Sequence, residues 1–115
     1  MKKFITSVGY AVKGIGSTFR TQQNFRVQIV VAMFVCIAGG YFHVTATEWC
    51  VLLGLCGLVL GLELINTSLE NLTDLITPEQ HPLAANAKDA AAGAVLLASL
   101  IALIAGVIIF APYVR

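Results

Sequence analysis

Charge is what this sequence has least of. Only 11% of its 115 residues are charged, against about 25% in an ordinary soluble domain. No fixed charge falls between Val27 and Thr47, and none between Ala90 and Val114. With 58% of the residues hydrophobic and gathered into long runs, a small soluble core is excluded and a membrane protein is implied. The basic residues form no dense patch, so nucleic acid is not an expected partner. Cysteine is sparse too. Cys36, Cys50 and Cys56 show neither CxxC spacing nor clustering with histidine, so they read as small buried hydrophobes rather than a zinc site or redox pair. The motifs GxxxxGK[ST] and GxSxG are missing, which excludes a phosphate loop and a nucleophile elbow. No apolar h-region with a small-residue cleavage site follows Lys2 and Lys3, so no cleavable signal peptide is expected.

The apolar runs predict an all-α integral membrane fold, one domain over residues 1–115 with spans at about 24–43, 48–74 and 87–112. Ahead of them, Phe4, Val8, Ala11, Val12, Ile15 and Phe19 recur at helical spacing among Lys3, Lys13 and Arg20. That pattern suits an amphipathic surface helix over about residues 2–20. The first span is expected to break near Gly39-Gly40, with Tyr41, Phe42 and Trp49 at a membrane interface. Thr45 and Thr47 are candidate caps for the second span, Pro78 ends it, and Pro82 can open the third. Gly57-xxx-Gly61 permits close helix contact. Ala90, Ala94, Ala98, Ala102 and Gly106 make a small-residue packing ridge. Lys2, Lys3, Lys13, Arg20 and Arg26 all precede the first span, and Lys88 lies beyond the second. The positive-inside rule therefore expects the N-terminus and the 74–88 loop in the cytoplasm, in a multi-pass membrane protein.

Against this oily background stands Glu63-Leu64-Ile65-Asn66-Thr67-Ser68-Leu69-Glu70-Asn71-Leu72-Thr73-Asp74. At about 100° per helical residue, Glu63, Thr67, Glu70 and Asp74 share a narrow stripe with Asn66 at its edge. A carboxylate inside a bilayer costs at least ~2.5–3.5 kcal/mol on insertion scales, so such a stripe signals function. Gln22, Gln23, Asn24 and Gln28 make an unusually amide-rich entry to the first span, also suggestive of groups facing a site.

Glu63 lies about 10 Å from Glu70 along the helix axis, far enough for two tasks. A carboxylate near the headgroup level can hold Mg²⁺ together with phosphate oxygens. A deeper one can accept a proton from a lipid hydroxyl. Lys88 beside them can neutralise a transferring phosphoryl group. Phosphoryl transfer at a membrane surface fits this set. So do ion coupling in a small transporter and hydrogen-bonded glue in a helical oligomer.

The stretch Glu63–Asp74 resembles the signature of the prokaryotic diacylglycerol kinase/undecaprenol kinase family, E-x-[LIVM]-N-[ST]-[SA]-[LIV]-E-x-x-V-D, departing only at Thr73. Gly9-Tyr10-x-x-Lys13-Gly14, Asn24-Phe25-Arg26 and Ala87-Lys88-Asp89 extend the resemblance over nearly the whole chain. It implies a lipid kinase using ATP and Mg²⁺, built as a homotrimer with active sites shared between neighbours. Glu63 looks like the general base and Glu70 like a metal ligand. Asn66, Asp74, Asn24 and Arg26 belong to the supporting polar site. Lys3, Tyr10, Glu79, Gln80, His81, Lys88 and Asp89 fall at nucleotide-binding positions, Lys3 replacing an Arg. Gln22 stands where characterised members place a second metal-binding Glu, and it offers a carbonyl oxygen without charge. The segment Thr77-Pro78-Glu79-Gln80-His81-Pro82-Leu83-Ala84, followed by Ala87–Leu96, looks like the Gram-positive-type branch. That branch implies undecaprenol, ahead of diacylglycerol, as the membrane lipid alcohol.

Overall fold

The computed structural model describes residues Met1–Arg115, and all of the regular structure is helical. Four α-helices follow one another: α1 (Lys2–Thr21), α2 (Gln23–Phe42), α3 (Ala46–Ile76) and α4 (Pro82–Phe110). A 3-10 turn over Ala111–Val114 ends the chain. The helices α2, α3 and α4 are each long and apolar enough to cross a membrane. Along α1, Phe4, Val8, Val12 and Ile15 remain exposed, as suits an apolar face that rests on lipid.

The corner between α1 and α2 is one residue wide. Gln22 takes an extended backbone (φ −114°, ψ 111°), and its N–H donates to the Thr18 carbonyl at 2.8 Å. Arg26 Nη1 donates to the carbonyls of Phe19 (2.7 Å) and Arg20 (3.0 Å). These oxygens have no partner within α1, so Arg26 closes the helix end. Phe25, 2% exposed, anchors the start of α2.

At the opposite end α2 runs through Gly39-Gly40 without a break and stops at His43, whose φ of 55° is left-handed. Gly39 answers to packing rather than bending. A Cβ there would lie 2.8 Å from Cη2 of the Trp49 indole, closer than real contacts allow. Thr45 then caps α3: its hydroxyl accepts from Glu48 N–H (3.1 Å), and Glu48 accepts from Thr45 N–H (2.9 Å). The same Glu48 carboxylate accepts from the Tyr113 hydroxyl. Phe42 packs on Phe110 and Tyr113 at 6.1 and 5.9 Å between ring centroids. One polar and aromatic knot thus joins the ends of α2, α3 and α4.

Helix α4 begins at Pro82, earlier than the apolar run alone suggests. Proline at the first helical position loses no hydrogen bond, and His81 Nδ1 accepts from Leu83 N–H at 3.1 Å as the cap. Asn86, Lys88 and Asp89 therefore sit on its opening turns. Helix α3 packs most extensively against α4, where Ala98 of the small-residue ridge is buried. Gly57 and Gly61 are not used this way within the chain: a Cβ at either meets nothing within 4 Å.

Candidate active site

The polar stripe of α3 is drawn inward. Glu63, Asn66 and Thr67 are 3%, 8% and 6% exposed, more deeply buried than most apolar residues of this thin bundle. Helical spacing places Asn66 three residues after Glu63 and four before Glu70, so a single amide can reach both carboxylates. It does so: Asn66 Nδ2 donates to Glu63 Oε2 at 3.2 Å and to Glu70 Oε1 at 2.9 Å. An amide nitrogen carries two hydrogens, one for each carboxylate. From α2, Gln28 Nε2 donates to Glu63 Oε1 at 3.0 Å. Both oxygens of Glu63 are therefore held by neutral donors, and no side-chain cation pairs with it.

Three buried polar atoms here lack a partner: Gln28 Oε1, Asn66 Oδ1 and Thr67 Oγ1. Buried polar groups left unpaired cost about 1–3 kcal/mol each. Their concentration around one carboxylate marks a site that expects further ligands. No group of three or more His, Cys, Asp or Glu side chains converges on a metal position within the chain. Oxygen donors are nonetheless to hand. Glu70 is half-buried, and the unpaired Asn66 Oδ1 belongs to the amide that touches it. This donor set suits Mg²⁺, which is bound through one or two carboxylates and otherwise by water and phosphate.

A second polar region lies at the α3–α4 turn. A cavity of about 550 Å³ is lined by Asp74, Glu79, Gln80, His81, Lys88 and Asp89 among others. Lys88 Nζ forms an ion pair with Asp74. Asp89 is exposed, as are Glu79, Gln80 and His81. Thr77 Oγ1 donates to the Glu79 carbonyl at 3.1 Å and shapes the turn. Lys3, Tyr10 and Asn24 are exposed and Gln22 half-buried; Lys13 Nζ stands 5.9 Å from the Tyr10 ring centroid. The expected site residues thus fall into a buried amide–carboxylate cluster, a polar turn cavity, and an exposed to half-buried set on α1 and at the start of α2.

A family model described as prokaryotic diacylglycerol kinase matches residues 9–110. The chain belongs to that family. Among kinase relatives, the undecaprenol kinase of Bacillus subtilis is 42% identical over 112 residues, covering 97% of this chain and 91% of its own length. A diacylglycerol kinase of Synechocystis is 41% identical over 109 residues, which span 94% of this chain but 62% of that protein. The diacylglycerol kinase of Escherichia coli K12 is 29% identical over 102 residues, or 89% and 84% of the two chains. Thr73, the one departure from the kinase signature, turns its hydroxyl to the Glu70 carbonyl at 3.0 Å and so leaves the carboxylates untouched.

The donor from α2 is the site residue that the sequence did not single out. Gln28 was visible as one of several amides, but its partner lies 35 residues away. Only the packing of α2 on α3 selects it.

Proposed function

We propose that this chain transfers the γ-phosphate of ATP to the hydroxyl of a membrane lipid, with undecaprenol as the preferred acceptor. The observation that carries this reading is Glu63, buried in an apolar bundle with both oxygens hydrogen-bonded and no cation beside it. Such a carboxylate is oriented yet retains lone pairs for a proton. In the transfer, the lipid O–H bond breaks and its proton passes to Glu63. The freed electron pair of the oxygen forms the bond to the γ-phosphorus. The bond from that phosphorus to the bridging oxygen breaks, and ADP leaves with the electrons. Lys88 supplies positive charge to the phosphates at the turn cavity, and Asp74 holds it there. Glu70, with Asn66 Oδ1 and Gln22, would hold Mg²⁺; when bound, the ion offsets charge on the phosphoryl oxygens.

One percentage point of identity does not choose between lipids. Coverage favours undecaprenol, since the Bacillus relative matches over 91% of its length and the Synechocystis relative over 62%. The Glu79-Gln80-His81-Pro82-Leu83 turn favours it as well. Diacylglycerol is the alternative acceptor. The distribution of Lys and Arg supports a cytoplasmic N-terminus and turn, in a bacterial plasma membrane. Association between copies is supported by Gly57 and Gly61, whose close-packing surface no helix of the same chain occupies; that it takes the form of a homotrimer rests on the family resemblance.

Mg²⁺ and ATP together are expected to raise the thermal midpoint of the detergent-purified protein by several degrees, and ATP with a chelator is not. A ligand stabilises the state that binds it. Equal midpoints with and without Mg²⁺ would remove the metal–nucleotide site from this reading.

A further inference from the structure

Gln28 reaches Glu63 through the one side chain–side chain hydrogen bond that joins α2 to α3. The chemistry fixes which way its amide faces. Only the nitrogen is a donor, and the carbonyl end would face the carboxylate with lone pair against lone pair. Turning Nε2 to Glu63 leaves Gln28 Oε1 buried without any donor. The folded chain thus carries an unsatisfied acceptor, worth about 1–3 kcal/mol against stability, to keep one N–H on the carboxylate. An apolar side chain of similar length would avoid that loss but leave Glu63 Oε1 without its donor.

Position adds a second indication. Gln28 also lines a cavity of about 560 Å³ between α2, α3 and α4, thirteen of whose sixteen lining residues are hydrophobic. Ser99 is the other polar side chain in that wall. Gln28 therefore stands where the apolar interior of the bundle meets the buried carboxylate. Asn66, the other donor to Glu63, is shared with Glu70 and belongs to the same helix as both. It cannot fix Glu63 relative to α2.

We infer that Gln28 is a positioning residue for the transfer reaction: its amide N–H fixes the rotamer of Glu63 across the α2–α3 interface, and its unpaired oxygen is the structural consequence. The inference rests on the lipid-kinase reading above. It distinguishes Gln28 from helix glue. Glue stabilises the fold, whereas this amide satisfies one buried oxygen and orphans another, a near balance for stability.

The test replaces Gln28 by Met, of similar length and without a polar hydrogen, and by His, which returns one ring N–H and one ring acceptor. Phosphorylation of undecaprenol and the thermal midpoint are measured for both variants and the wild type in the same detergent. Gln28→Met is expected to lower kcat roughly 10- to 100-fold, the size usual for residues that orient a catalytic ligand. Its KM for ATP stays unchanged and its midpoint stays close to wild type, because the orphaned Gln28 oxygen is removed while the buried Glu63 Oε1 loses its donor. Gln28→His is expected to recover most of the lost kcat. A Gln28→Met protein as active as wild type overturns the assignment, and so does one whose lost activity follows a lowered midpoint. A wild-type protein that phosphorylates neither undecaprenol nor diacylglycerol overturns the kinase reading, and this assignment with it.

Discussion

Glu63→Gln is expected to lower lipid phosphorylation by about 10²–10⁴-fold, the contribution of a positioned general base, with little change in thermal midpoint. The fold tolerates the change because of an atom already present. The substituted amide would bring an N–H₂ group against either Gln28 or Asn66, both donors in the native site. Rotating the Gln28 amide by half a turn offers its unpaired Oε1 to that new donor. The hydrogen bond between α2 and α3 is thereby kept with its polarity reversed. What disappears is the basic lone pair. Turnover in mixed micelles and unfolding of the same sample separate the two consequences. Near-normal turnover would show that another group takes the proton.

Asn66→Leu is the second large effect. Leucine is close to asparagine in shape and length, so little changes in packing, but both carboxylates lose their shared donor. Glu63 keeps Gln28, whereas Glu70 loses its side-chain donor altogether. The activity is expected to fall by about 10²-fold or more, as when a preorganised donor is removed from a reacting centre. Stability is expected to fall as well, by about 1–3 kcal/mol, because two carboxylate oxygens lose a donor while only one orphaned amide oxygen, Asn66 Oδ1, is removed. The pair of losses separates Asn66 from Gln28, whose replacement is expected to affect rate alone. An Asn66→Leu protein with full activity would reduce the Glu63–Asn66–Glu70 array to a packing feature.

Much of this architecture is legible in the sequence because a bilayer simplifies the problem. Long uncharged runs have few alternatives to spanning helices, so α2, α3 and α4 follow from hydropathy, and the period of Phe4 to Phe19 yields α1. The buried stripe is legible for the same reason: Glu63, Asn66 and Thr67 on one helical face have nowhere polar to go except inward. Errors arise where a local preference meets a tertiary partner. Gly39-Gly40 reads as a break, yet the Trp49 indole fills the space beside Gly39 and the helix continues. Pro82 reads as able to open α4 and does so; what hydropathy does not register is the His81 side-chain cap. Arg26, expected among the supporting polar residues, makes a contact that the sequence does not announce: its guanidinium closes the end of α1. The hydrogen bond from Tyr113 to Glu48 spans 65 residues and has no local signature at all.

The exposed residues pose a different problem. Lys3, Tyr10 and Asn24 are exposed and do not line the cavity at the Glu79–His81 turn. Their assembly into one nucleotide site belongs to the proposed trimer with nucleotide bound.

The most direct test of the kinase reading is transfer of the ATP γ-phosphate by the purified chain in mixed micelles containing Mg²⁺. Undecaprenol and diacylglycerol are offered in parallel, and Glu63→Gln gives the background. Labelling of undecaprenol faster than diacylglycerol, lost in Glu63→Gln, is the expected result. Faster labelling of diacylglycerol would keep the chemistry and overturn the acceptor; no Glu63-dependent labelling of either lipid would contradict the kinase itself.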